Sequence, residues 1–119
     1  MAVRGLLPTV VQAMGHVDAV VNSASTFEHD TAANFSFQAM EKHMRANAGA
    51  AIVLSQALHT HISQRNQSIP GTTGVVVNVL DEEIWKTTPD FVSYTLSKAA
   101  LDAASNMLTV ALQPLVRVV

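Results

Sequence analysis

The run Gly74–Leu80, GVVVNVL, constrains the fold more than any other stretch of the chain. Its valines crowd a helix but suit a pleated strand, and a nearly unbroken apolar run suits a strand covered on both faces, as in a parallel sheet. Parallel neighbours cannot be joined by a tight turn. They need crossovers of about a dozen residues or more, usually helical, and the flanking sequence supplies them. Upstream, apolar residues recur at Met40, Met44, Ala48, Ala51, Leu54, Leu58 and Ile62, the spacing of a helix with one buried face. Asn47 and Gly49 lie mid-helix, where both are poor formers, so a kink is expected there, with Asn47 off the regular pattern or put to use. A turn-rich link, Arg65–Gly74, leads into the strand.

The same alternation extends to both sides. Thr9–Met14 reads as a short helix with Pro8 in its first turn and Gly15 as its stop, followed by a strand over Val17–Val21 that ends at Asn22–Ser25. Thr26–Ser36 reads as a loop, with a helix beginning near Phe37. Downstream, a helix over Val92–Leu112 places Val92, Leu96, Ala99, Ala103, Met107 and Val110 on one side, and Ala99–Ala104 suits close packing against another helix or a second subunit. Pro114 ends it, and Leu115–Val119 begins a further strand. The order predicts an α/β fold, a partial Rossmann-type doubly wound parallel sheet in three α/β/α layers.

Composition narrows the function. Charged residues are 13% of the 119, against about 25% in an ordinary soluble domain, which suggests a surface covered by something else. A net charge of −2 offers no basic field for nucleic acid or anionic lipid. The longest uncharged run, Ala46–Gln64, holds too many polar groups for a membrane span, and Pro8 breaks the apolar start with no cleavage site after it, so the expected location is the cytoplasm. Without cysteine, thiolate chemistry and disulfides are excluded and redox work needs a cofactor. His59 and His61 are two apart and point different ways on a helix, so no metal site is expected. His16, His29 and His43 show no triad pattern and are expected to be exposed or capping, while Glu82 and Glu83 read as a solvated loop face.

Function in such sheets gathers beyond the carboxyl ends of the strands. Asn22–Ser25 and Asp81 fall there, and one loop later Tyr94 and Lys98 share a helix face. A cation beside a phenol favours the phenolate, which fits general acid–base work on a carbonyl and alcohol pair.

Four segments, in order, resemble the short-chain dehydrogenase/reductase family: VDAVVNSAS its Asn-Asn-Ala-Gly strand end, HMRANAGAAIVLSQAL its asparagine helix, GVVVNVLD the strand to its active-site serine, and YTLSKAAL its Tyr-x-x-x-Lys motif. The resemblance runs from Gly15 onward and implies that residues 1–119 are the central, catalytic part of one such domain. It further implies Tyr94 as proton donor, Lys98 holding the nicotinamide ribose and lowering the tyrosine pKa, Asn47 fixing a water in a proton relay, and Asn22, Ala24 and Ser25 contacting NADP or NAD. Ser23 and Ser25 depart from the family's turn, and Asp81 stands thirteen residues before Tyr94 where the family has serine.

Asp81, together with Ser25, Phe27, Pro89, Asp90 and Phe91, resembles the pteridine reductase branch, where an aspartate joins the relay and an aromatic ring sandwiches the pterin. That implies Phe27 as the ring, with Ser25, Asp81 and Trp85 near the substrate. Capping or turn formation by Asp81, and ordinary packing by Phe27 and Trp85, remain the alternatives, as do a 3-oxoacyl or other carbonyl substrate and a non-catalytic interaction module. No glycine-rich phosphate loop occurs in the sequence, and the segments matching the family's first three strands are missing. The open apolar strand edge this leaves is an expected aggregation site. The family's habit of pairing its long helices implies a homodimer or tetramer.

Overall fold

The computed structural model describes residues 2–119. Helix α1 (Ala2–Met14) leads to strand β1 (Ala19–Asn22), and helix α2 (Phe37–Met44), a π-helical turn (Arg45–Gly49) and helix α3 (Ala50–Ser68) run on without a break. Strand β2 (Gly74–Asn78), a 3₁₀ turn (Glu82–Ile84), helix α4 (Val92–Leu112) and strand β3 (Val116–Val118) complete the order. The strands form a parallel sheet in the order β1-β2-β3, with Asn22 paired to Asn78 and Val76 to Val118. This is the expected α/β Rossmann-type architecture.

Leu7 of α1, Leu58 and Ile62 of α3, Val76 of β2, Leu112 of α4, and Val116 and Val118 of β3 form one buried cluster. Full burial of each large aliphatic side chain stabilises by about 1.5–3 kcal/mol. Helix α3 comes close to the sheet because Gly74 has no side chain; a Cβ there would meet Ile62 Cγ1 at 3.0 Å and the Asp18 carbonyl at 3.1 Å. All the helices in this cluster sit on one face of the sheet. The residues that alternate to the other face include Val21, Val79 and Val119, which are exposed, so the cover expected on both sides of β2 is found on one.

Three readings change in detail. Helix α1 begins seven residues before the expected start, with Pro8 in its interior rather than its first turn. Packing of Leu7 and Val11 holds it despite the missing hydrogen bond, and Thr9 Oγ1 donates to the Gly5 carbonyl at 2.7 Å. The expected kink is a π turn, which buries both Asn47 and Ala48. On α4 the apolar stripe is not the buried one: Leu96, Met107 and Val110 are exposed, while Ser93, Tyr94, Ser97, Lys98, Leu101 and Ala104 face inward. Polar side chains outcompete apolar ones there because each has a hydrogen-bond partner: Asp30, Asp81, Asn47 and the Val79 carbonyl.

One such partner lies in the long loop after β1. Phe91, at φ 58°, offers α4 no side-chain cap, and Asp30 supplies one from 63 residues away. Its Oδ1 accepts from Ser93 N at 3.0 Å, its Oδ2 from Ser93 Oγ, and its carbonyl from Val92 N at 3.3 Å. A bridge between Thr31 and Asp90 adds to this seam. Burial opposes ionisation of Asp30, but the Ser93 hydrogen bonds outweigh it and hold the carboxyl below its usual range. A lowered folded-state pKa gives stability above the unfolded value near 3.9, lost as pH falls through the lower one. Asp30→Ala is therefore expected to cost about 1–3 kcal/mol at neutral pH in urea unfolding, the gap to the parent narrowing below about pH 4. An equal midpoint at pH 7 would remove Asp30 as the cap.

Candidate active site

The strand ends carry the site through hydrogen bonds that begin in the sheet. Asn22 Nδ2 donates to Asn78 Oδ1 at 2.8 Å across the β1–β2 register, and Asn78 Nδ2 donates to Ser105 Oγ on α4 at 2.8 Å. Asn78 is the one polar side chain in the valine run, and that interruption is the signal by which it could have been singled out. One N–H of the Asn22 amide is thus bound to the sheet. Ala24 and Ser25 follow it as exposed positions, Ser25 Oγ reaching only the Thr26 carbonyl at 3.4 Å.

Asp81, at the end of this strand region, divides its two carboxylate oxygens between a backbone and a side-chain partner. Oδ1 accepts from Glu83 N at 2.9 Å, capping the 3₁₀ turn, while Oδ2 accepts from Tyr94 Oη at 2.6 Å. The Tyr94 hydrogen bond, then that of Glu83 N, with the Lys98 charge, hold the Asp81 carboxyl below its ordinary value. Tyr94 moves the other way: burial first, then the hydrogen bond to and charge of Asp81, push its pKa well above that of a free phenol. Lowering by Lys98, expected from the helix spacing, is therefore corrected. The ammonium lies 6.0 Å from the ring centroid and donates to the Val79 carbonyl at 2.9 Å, whereas the carboxylate is in direct contact with the phenol oxygen. Burial lowers the Lys98 pKa, against the pull of Asp81.

Asn47 is buried, with its side chain hydrogen-bonded within the protein. Its Oδ1 accepts from Thr26 N at 2.8 Å, and its Nδ2 donates to the Thr26 carbonyl and to Ser97 Oγ, each at 2.9 Å. Ser97 Oγ donates in turn to the Tyr94 carbonyl at 2.6 Å, which ties the loop after β1 to the helix of the tyrosine. Phe27 projects from that loop. Its ring stacks on Phe91 at 4.3 Å and 15° and meets Tyr94 edge-on at 4.5 Å.

Trp85 stays outside this cluster, exposed beyond the 3₁₀ turn. Glu83 departs from the solvated face expected of it: Oε2 is buried without a hydrogen-bond partner. His43, expected near the surface, is fully buried, and His61 Nε2 accepts from Val17 N at 3.1 Å. Asp30, Ser93 and Ser97 were not foreseen, since their partners are 50 or more residues away in sequence.

The residues fit one end of a nicotinamide dinucleotide. Lys98 has three N–H donors and gives one to the Val79 carbonyl, so it has donors left for a ligand hydroxyl. Nothing in the sequence supplies a glycine-rich turn for the diphosphate. Chemically, a neutral phenol beside a carboxylate can deliver one proton, and the stacked rings offer a flat group a face.

The sequence pattern of the family described as short chain dehydrogenase matches residues 1–119. No curated protein sequence matches. Among solved structures, FolM Alternative dihydrofolate reductase 1 from Brucella canis, complexed with NADP, is 31% identical with a TM-score of 0.86 over 97% of this chain and 45% of that one. The Brucella suis protein of the same name, also in complex with NADP, is 32% identical with a TM-score of 0.86 over 98% and 44%. A short chain dehydrogenase from Mycobacterium smegmatis, at 17% identity and TM-score 0.82 over 93% and 44%, shares the fold. The chain thus spans less than half the length of these structures. With its parallel sheet, its Tyr94–Lys98 pair and a match along its whole length, the chain belongs to the short chain dehydrogenase family.

Proposed function

We propose that this chain forms the catalytic part of an NADPH-dependent reductase for a pterin or similar dihydropteridine ring. The observation that carries the reading is the Asp81 carboxylate hydrogen-bonded to Tyr94 beneath the Phe27 ring. A pterin edge is rich in N–H donors, and a carboxylate accepts from such an edge better than the family's serine does. The two FolM structures, named as dihydrofolate reductases and holding NADP, support it, since dihydrofolate carries a pterin ring.

In this reading Phe27 covers one face of the flat substrate. Its N–H groups take over Asp81, releasing the phenol from the carboxylate that raises its pKa. Tyr94 then donates its proton to the ring nitrogen, and the Lys98 ammonium, already beside the phenol, stabilises the phenolate left behind. NADPH, when bound, supplies the hydride for the C=N carbon; with the Tyr94 proton on nitrogen, this yields C–H and N–H and the oxidised cofactor. Lys98 holds the ribose, and Asn47 keeps loop and helix aligned. The exposed Leu96, Met107 and Val110 of α4 fit pairing between copies as a homodimer or tetramer. No helix among the described residues is long and apolar enough to cross a membrane, and a cysteine-free chain of this kind suits the cytoplasm.

Two measurements test this. Oxidation of NADPH should depend on dihydropterin, and Tyr94→Phe and Lys98→Ala should each lower kcat at least about a hundredfold, the scale of a lost acid–base group. Turnover of acetoacetyl thioesters alone would favour a carbonyl reductase, and a folded chain that does not bind NADPH would leave an interaction module.

Tyr94 is the sole tyrosine, so its ionisation can be followed by absorbance. Its raised pKa stabilises the fold below the unfolded value near 10, and that stability is lost as pH rises through the higher folded value. Asp81→Asn should move tyrosinate formation to lower pH; a midpoint unmoved by the substitution would mean the carboxylate does not govern the phenol.

A further inference from the structure

His43 and Asn47 are four residues apart, one ending α2 and the other in the π turn, and both are buried. Both spend their side chains on the same loop. Asn47 grips Thr26 through its N–H and its carbonyl, and His43 Nε2 accepts from Glu28 N at 3.2 Å. Phe27 lies between these two anchors. Two residues on, Asp30 is fixed to the start of α4.

We infer that His43 is a positioning residue for substrate: by holding the backbone of Glu28 it keeps the Phe27 ring over Tyr94. The inference rests on the reading of Phe27 as the ring that covers a flat heterocycle. Its tautomer follows from the contacts. Nδ1 lies 2.8 Å from the Ala39 carbonyl, which can only accept, so Nδ1 carries the proton and Nε2 is free to accept from Glu28.

A role in packing alone accounts poorly for the arrangement. An imidazole with no exposed surface has two polar nitrogens to satisfy, and an apolar side chain of similar volume would fill the space without that demand. The ring that the loop presents is 56% exposed, so burial does not explain why its backbone is fixed so firmly. A loop anchored before binding does not have to be ordered at binding, which strengthens affinity for whatever the ring covers. The effect should fall on substrate binding and leave the chemical step at Tyr94 nearly untouched.

The test compares His43→Phe, which fills the space without an acceptor, with His43→Gln, whose side-chain carbonyl can reach the position of Nε2. Hydrogen exchange at the Glu28 amide reads the anchor itself, and steady-state kinetics with dihydropterin and NADPH read its purpose. His43→Phe should speed Glu28 exchange and raise KM for dihydropterin about tenfold with kcat within about twofold, worth roughly 1.4 kcal/mol of binding. His43→Gln should restore both. Glu28→Pro removes the same hydrogen bond from the loop side, and should raise KM likewise even if His43→Phe does not fold. Faster exchange with an unchanged KM, or a kcat that falls while KM holds, would overturn the positioning role and leave the reductase reading intact. A parent enzyme that does not reduce dihydropterin would sink that reading, and this inference with it.

Discussion

Buried polar groups must find partners, and in this chain that requirement decides where the loops go. The carboxyl ends of β1 and β2 hold a run of such groups: Asn22 with Asn78, Asn78 with Ser105, Asn47 with Ser97, Asp30 with Ser93, and Tyr94 with Asp81. Leaving any one of them unpaired costs about 1–3 kcal/mol. A loop that wandered from its place would strand several at once. The segment after β1 is therefore anchored at Thr26, Glu28 and Asp30, although it has almost no secondary structure of its own.

The two ends of the sheet divide the work. Toward the middle and amino ends of the strands, Leu58, Ile62, Val76 and Val116 pack without polar atoms and supply cohesion. Toward the carboxyl ends the π turn presents asparagine, and helix α4 serine, lysine and tyrosine, to the interior. Cohesion at one end lets the other hold groups that contribute little net stability but fix geometry. The π turn marks the changeover on the long helix, just where Asn47 leaves the apolar stripe.

Most of the architecture could be read from the chain because periodicity reports it. The valine run accounts for β2, the three-and-four spacing for α3, and Asn22 and Asp81 fall at the strand ends as parallel topology requires, with Tyr94 one loop further on. The α4 face was misread because its inward side chains are polar, and their partners are set by contacts remote in sequence. The same reason hid Asp30 and His43: a cap 63 residues away and a histidine that accepts one backbone N–H leave no local pattern. Asp81 offered a turn role and a site role, and sequence had no means of showing that its two oxygens divide them.

On the proposed reading, that division bears on how the site is quiet at rest and acidic in use. With Tyr94 bonded to Asp81, the phenol is a poor acid, its charge form opposed by burial and by the neighbouring carboxylate. The other Asp81 oxygen is tied to the backbone, so the carboxylate cannot follow the phenol away from its place. A ligand that donates hydrogen bonds to Asp81 competes with Tyr94 for the same oxygen and, by winning, removes the main polar influence that raises the tyrosine pKa. Lys98, bound to the Val79 carbonyl with its ammonium 6.0 Å from the ring centroid, is then the cation beside the phenol. On the proposed reading, tuning by the cation, which helix spacing suggests for the resting protein, belongs to the occupied one, and a ligand without donors leaves the proton where it is.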